Sequence, residues 1–224
     1  MRETGCRTML GSSTITDWKE MLLESARQKY AKNDVAHDIL HGKQVAKNIL
    51  RIAEHEGGDL HVLYPSGLLH DIVSYRKTDP RSTFAAAESA EIARDLLEQL
   101  PDYPHEYISH VALAIREHPY SRGLQPSTLE SALLQDADRL EAIGAIGILR
   151  SSAVAGHTQK SLYCEEDPFC DICMPGGRGA QLDMYFSRFL KVADGMHTAY
   201  AKQMAEQRVQ FMYQFLEQLR SELA

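Results

Sequence analysis

"STLESALLQDADRLEAIGAIGILRSSA", residues 127–153, decides how the rest of the chain is read. Its apolar residues keep helical spacing, and Ser127 with Glu130 three positions later matches a capping box at its start. The stretch predicts one long helix from about Ser127. Two carboxylates, Asp136 and Asp138, lie in this otherwise apolar segment. Two positions on a helix are about 200° apart, so the pair faces different neighbours.

The same periodicity runs outward in both directions, and no segment alternates β-branched residues with period two. The chain reads as all-α. Helix formers fill Asp17 to Tyr30, and a second helix is expected from about His37 to His55, closed by Gly57 and Gly58. Pro65 and Ser66 are read as opening a short third helix that carries His70 and Asp71. After Asp79-Pro80, Ser82 or Thr83 is the expected N-cap of a helix ending before Pro101. "EYISHVALAIREH" follows, stopped by Pro119. From Gly156 to Gly179 the pattern breaks into a Gly-, Pro-, Asp- and Cys-rich loop, and two further helices are expected, about Leu182 to Met196 and Thr198 to Leu223. The last is amphipathic, which leaves two placements for it, packed inward or as a homodimer face. Without repeats or a low-complexity linker, residues 1–224 read as one domain: a core over about 34–155, the cysteine-containing loop 156–180 and C-terminal helices 181–223.

Composition excludes several classes. Of 224 residues 44% are hydrophobic and 25% charged, ordinary values for a globular protein, and no run approaches the roughly 20 apolar residues that span a bilayer. The N-terminus lacks the apolar stretch of a signal peptide, and a cytoplasmic protein is expected. A formal charge of −7 argues against general nucleic-acid binding. Four cysteines, Cys6, Cys164, Cys170 and Cys173, do not read as a disulfide framework in such a chain. Cys170 and Cys173 have the gap of a zinc knuckle, but no second such pair exists to close a four-cysteine site.

Ten histidines are more telling. "AHDILHGKQVAKNIL" sets His37 and His41 four apart, and "PSGLLHDIVSYRK" sets His70 beside Asp71 at the end of an apolar run. A charged pair there is costly to bury unless something compensates it. Taken with the acidic "QDADRLEAIGA", the order is His, then His-Asp, then Asp, each on its own helix. Two imidazoles and two carboxylates suit Mn, Fe, Co, Ni, Mg or Zn, whose charge removes the burial cost.

His41, His70-Asp71 and the later aspartate in "DADRL" resemble the H…HD…D signature of the HD-domain metal-dependent phosphohydrolases, an all-α family. "AHDILHGKQV" is similar to the HDxxHxxRV opening of a branch of single-domain HD proteins. "AIREHPYSRG", "LQDADRLEAIGAIGILR" and the closing "FSRFLKVADGMHTAYAKQMAEQRVQFMYQFLEQ" resemble its later blocks, so the likeness spans about Asp34 to Glu217.

The resemblance implies an HD-type helical bundle with the C-terminal helices packed on it, and His41, His70, Asp71 and Asp138 as ligands of one divalent ion, with Asp136 the fallback for Asp138. Two-metal members add histidines. His118 matches one such position, but the histidine expected near Ala85 is absent, which favours a single metal and leaves His118 to contact a phosphate or water. Asp71 is assigned a double role, as ligand and as orienter of the attacking water, with His37 or Glu117 carrying the proton. Lys43, Arg76, Lys77, Arg122, Arg139 and Arg150 lie near the ligand blocks as partners for phosphate. Lys43, His118, Arg139 and Arg150 are the preferred set. Where the family often has an arginine this chain has Gln44. The implied activity is hydrolysis of a small phosphorylated molecule, a nucleotide above all, with release of pyrophosphate or phosphate. The alternatives are a cyclic-nucleotide phosphodiesterase or phosphomonoesterase, or a non-catalytic protein that holds metal and nucleotide.

Overall fold

The protein is described by a computed structural model covering residues 14–224 apart from 32, 35, 76–78, 173 and 176–178. Cys6, Arg76, Lys77 and Cys173 lie outside the described residues. Within them the chain is all-helical, with no strand: α1 Thr14–Tyr30, α2 Ile39–Glu56, α3 Leu60–Leu69, α4 Ala85–Glu98, α5 Ile108–Glu117, α6 Leu129–Leu140, α7 Gly144–Thr158, α8 Asp183–Ser187 and α9 Ala199–Leu223. No helix is long and apolar enough to cross a membrane among the described residues.

Several boundaries differ from the sequence expectation for identifiable reasons. The segment 127–153 is two helices, because the chain turns at Glu141–Ile143 before α7 starts at Gly144. Gly144 has φ +73, which a side chain resists. The N-cap of α6 is Thr128, whose hydroxyl accepts from Ser131 N at 3.1 Å. Glu130 does not close a capping box; it reaches away to accept from Asp59 N at 3.1 Å.

The third helix begins at Leu60, capped by Asp59, and Pro65 lies inside it. An interior proline leaves the carbonyl four residues back without its helical donor. That carbonyl is on His61, and the Tyr103 hydroxyl donates to it at 2.7 Å. His37 precedes α2, because Asp38 is the N-cap and accepts from Leu40 and His41 amides. Neither Ser82 nor Thr83 caps α4. Asp79 caps a 3-10 turn, Pro80–Thr83, that leads into it. The Leu182–Met196 helix resolves into the short α8 and a 3-10 turn, Phe189–Gly195.

Two apolar clusters form the interior. One joins Val45 and Ile49 of α2 to Leu133 and Ala137 of α6 and to Met204 and Met212 of α9, so α9 packs inward along that face. The other joins Trp18 and Leu22 of α1 to Leu68 and to Val111 and Ile115 of α5. Helices α2 and α3 run between the clusters at very close range. A Cβ on Gly42 would sit 2.6 Å from Leu68 O, and one on Gly67 would sit 2.9 Å from Ala46 Cα. Only glycine lets the two backbones approach this far. The N-terminus of α2 thereby meets the C-terminal ends of α3, α5 and α6, where His41, His70, His118 and Asp138 are found.

Candidate metal centre

Three helix C-termini facing one point concentrate the negative ends of three helix dipoles there, a setting that favours a cation. The side chains at that point complete the preference. His41 Nε2 lies 3.2 Å from His70 Nε2, 3.8 Å from Asp71 Oδ2 and 3.5 Å from Asp138 Oδ1. His70 Nε2 lies 3.6 Å from Asp71 Oδ2 and 3.7 Å from Asp138 Oδ1. His41, His70 and Asp138 form one set of donors close enough to share a cation, and His70, Asp71 and His118 form a second that has His70 in common with it. The residues present therefore fit a divalent ion.

The surroundings orient these donors. His70 Nδ1 donates to Gly67 O at 3.0 Å, which fixes its tautomer and leaves Nε2 facing the centre. Asp71 Oδ1 lies 3.4 Å from His118 Nε2, whose Nδ1 donates to Ile115 O at 2.6 Å. Asp71 thus faces three imidazoles with its two oxygens. The backbone around it is fastened by α1 and the turn after it. Tyr30 donates its hydroxyl to Leu68 O at 2.9 Å, and Asn33 Nδ2 donates to both Asp71 O and His37 O at 3.0 Å.

Charge in the cluster is strongly polarised. Asp71 is held below the ordinary carboxylate range: burial opposes this, but the charges of His70 and His118 prevail. Asp138 is likewise held well below it, against burial, by hydrogen bonds from His41 and His70. Burial pushes His41 down to about 4. His70 is raised, because Asp71 and Asp138 outweigh its burial. Two carboxylates held in the ionised form thus face the imidazoles, a donor set suited to an incoming cation.

Asp136 is elsewhere. Fully buried, it accepts from His197 N at 2.8 Å, Thr198 N at 2.9 Å and Thr198 Oγ1 at 2.8 Å, so it joins α6 to the start of α9. Glu117 accepts from Ser127 N at 3.0 Å, at the entry to α6. His37 stands beside the cluster, its ring 6.2 Å from that of His41 and its Nδ1 3.0 Å from Asp34 Oδ1.

The candidate phosphate partners are divided. Lys43 and Gln44 line a cleft of about 480 Å³ that also includes His41 and Arg150. Arg150 spends its guanidinium on Ala36 O and Glu141 O. Arg139 bonds Gln135 Oε1 at 2.9 Å and the Gly195 carbonyl, and lies near the ring of Tyr120. Exposed Arg122 lies in the 3-10 turn Tyr120–Arg122. The cysteine loop forms no metal-binding group of three donors among the described residues.

Sequence reasoning missed a second polar centre. Asn48 Nδ2 donates to Glu141 Oε1 at 2.8 Å, and Arg208 of α9 reaches Glu141 Oε1 at 3.3 Å, Asn48 Oδ1 at 3.1 Å and Leu140 O at 2.6 Å. The signal was present: Arg208 falls within the apolar stripe Ala201, Met204, Ala205, Met212 of α9, where a cation requires a buried partner.

Comparison with known proteins agrees with this geometry. The HD domain family model matches residues 37–143, the span holding all four donors. YpgQ of Bacillus subtilis is 28% identical over 188 residues, 84% of each chain. The crystal structure of B. subtilis YpgQ in complex with ADP superposes with a TM-score of 0.69 at 25% identity, covering 92% of this chain and 95% of that one. An HD-superfamily hydrolase from Bacillus thuringiensis superposes at 0.70 with 29% identity, over 92% and 97% of the two chains. Its histidine–aspartate cluster at the ends of four helices, with these likenesses, places the chain in the HD domain superfamily.

Proposed function

We propose that the chain is a divalent-metal-dependent phosphohydrolase acting on a small phosphorylated molecule, most plainly a nucleotide. The observation that carries this reading is the cluster in which His41, His70 and Asp138 lie close enough to share an ion and Asp71 Oδ2 lies within 3.8 Å of both imidazoles. A bound divalent ion would supply an activated water and neutralise charge developing on the phosphoryl oxygens. The ADP seated in crystals of YpgQ supports the nucleotide class.

The chain's own residues divide the remaining work. His70 and His41 offer Nε2, and Gly67 O fixes His70 for that duty. Asp71 is the natural orienter of an attacking water, since its second oxygen is held by His118 and its backbone by Asn33. His37, half-buried, oriented by Asp34 and next to His41, is the better proton carrier, because Glu117 is engaged at α6. Lys43 at the cleft edge serves the phosphates. Arg139 and Arg150 contribute positive charge while holding neighbouring segments together.

The test is metal content of the purified protein, followed by a screen of nucleoside tri-, di-, mono- and cyclic phosphates with Mn, Mg, Co and Ni and identification of products. Turnover that disappears with chelator and in His70→Ala is expected. Stoichiometric metal without turnover of any phosphate ester would overturn the reading in favour of a metal- and nucleotide-holding protein.

A further inference from the structure

His41 serves two spaces. Its Nε2 faces the donor cluster, and its side chain also lines the cleft of about 480 Å³ between α2 and α7. The rim of that cleft is apolar and open to solvent: Leu40 is 66% exposed and Leu149 67%, with Ile146 beside them. Large aliphatics exposed together at a cavity mark a binding surface, unlike the same residues scattered singly.

Deeper in, the cleft is polar and incompletely bonded. Glu141, 0% exposed, uses Oε1 for Asn48 and Arg208, whereas its Oε2 is buried without a hydrogen-bond partner. His41, which lines the same cleft, carries a second buried atom of this kind, its Nδ1. Buried polar atoms are nearly always bonded, so two of them at one cavity point to a ligand that brings its own polar groups. Arg150 bridges Ala36 O and Glu141 O and so fixes two walls of the cleft relative to each other. Lys43, exposed at its edge, supplies a positive charge between the apolar rim and the metal-binding side chains.

We propose that this cleft receives the nucleoside half of the substrate, with its ring against Leu40, Ile146 and Leu149 and one of its N–H or O–H donors on Glu141 Oε2. The phosphates then lie across His41 at the donor cluster. The inference rests on the nucleotide reading above and assigns its specificity to α7 and the turn before it. A volume of about 480 Å³ lies within the range of small-molecule sites.

The experiment compares kcat/KM for a nucleoside triphosphate and for inorganic tripolyphosphate, using Mn-loaded wild type, Leu149→Glu and Glu141→Gln. Leu149 is exposed on a helix, so its variant keeps the fold even if the buried Glu141 variant does not. The ratio of nucleotide to tripolyphosphate kcat/KM is expected to fall about tenfold in Leu149→Glu. An equal change for both substrates, or none, overturns the assignment. If wild type turns over neither compound, the hydrolase reading is decided by the full phosphate screen above, and the cleft is judged by equilibrium dialysis of ADP. Binding weakened about tenfold in Leu149→Glu supports the cleft, and unchanged or absent binding overturns it.

Discussion

Asp138 and Asp136 sit two residues apart on α6 and face different neighbours. Asp138 Oδ1 lies 3.5 Å from His41 Nε2, whereas the oxygens of Asp136 take the amides of His197 and Thr198 at 2.8 and 2.9 Å. One aspartate belongs to the cation and the other to a helix start. Asp138→Asn should weaken metal binding more than about a hundredfold, because a ligand is lost and not merely its support. Asp136→Asn should keep its metal but lose about 2–3 kcal/mol of stability, since the new amide presents hydrogens to donors. Metal analysis and urea unfolding of both variants check this, and the reverse pattern would refute the ligand assignment.

Asp71 and His118 make a graded pair. Asp71→Ala should leave no measurable metal, while His118→Ala, which removes only the partner of Asp71 Oδ1, should retain it with affinity lower by about 10- to 100-fold. Isothermal titration with Mn distinguishes the two. Complete loss of metal in His118→Ala would make that histidine a ligand.

Protons and metal compete at His70. In the metal-free protein its pKa is raised, with burial opposing and the charges of Asp71 and Asp138 prevailing. Metal must displace that proton, so affinity should fall as pH drops below the raised value, by up to about tenfold per unit. A raised histidine favours the folded state below its unfolded pKa of about 6.5, and that contribution is lost as pH rises through the folded value. His41, pushed down to about 4, has the opposite sign: its contribution is present above about 6.5 and lost as pH falls toward 4. Proton release on Mn binding, measured calorimetrically in buffers of different ionisation enthalpy, should grow as pH falls through the raised value of His70. Zero release would contradict a protonated His70.

The carbonyl freed by Pro65 gives a stability test away from the metal. Tyr103→Phe removes its donor to His61 O and should cost about 1 kcal/mol with metal affinity unchanged. Gly67→Ala should cost more, about 1–3 kcal/mol, because the added carbon meets Ala46 backbone that cannot yield. Denaturant midpoints of the two variants give the comparison.

Helical periodicity made the all-α class legible, and the order His41, His70-Asp71, Asp138 made the cluster legible before any coordinates were considered. Helix starts were harder to place than the helices themselves. Helix α2 starts after Asp38 and not at His37, α6 is capped by Thr128 and not by Ser127, and α3 starts after Asp59 and not at Pro65, each by the geometry of one side-chain acceptor that spacing alone does not fix. The break at Glu141–Ile143 was hidden because its residues are apolar or helix-forming, and the turn is stabilised from α9 through Arg208. Asn33 and Tyr30 carried no signal at all, since their role depends on backbone carbonyls 38 residues away in each case.

Arg208, Thr198 and His197 supply the donors for Glu141 and Asp136 from the last part of the chain. The carboxylates of Asp136 and Glu141 therefore gain these donors only when segments 61 and 67 residues further along fold back onto them. Until α9 packs against α6, the wall that carries Asp138 is incomplete. The metal-site donors thus depend on a helix that supplies none of them, and loosening α9 would be felt at Asp138 before any of the four donors was touched.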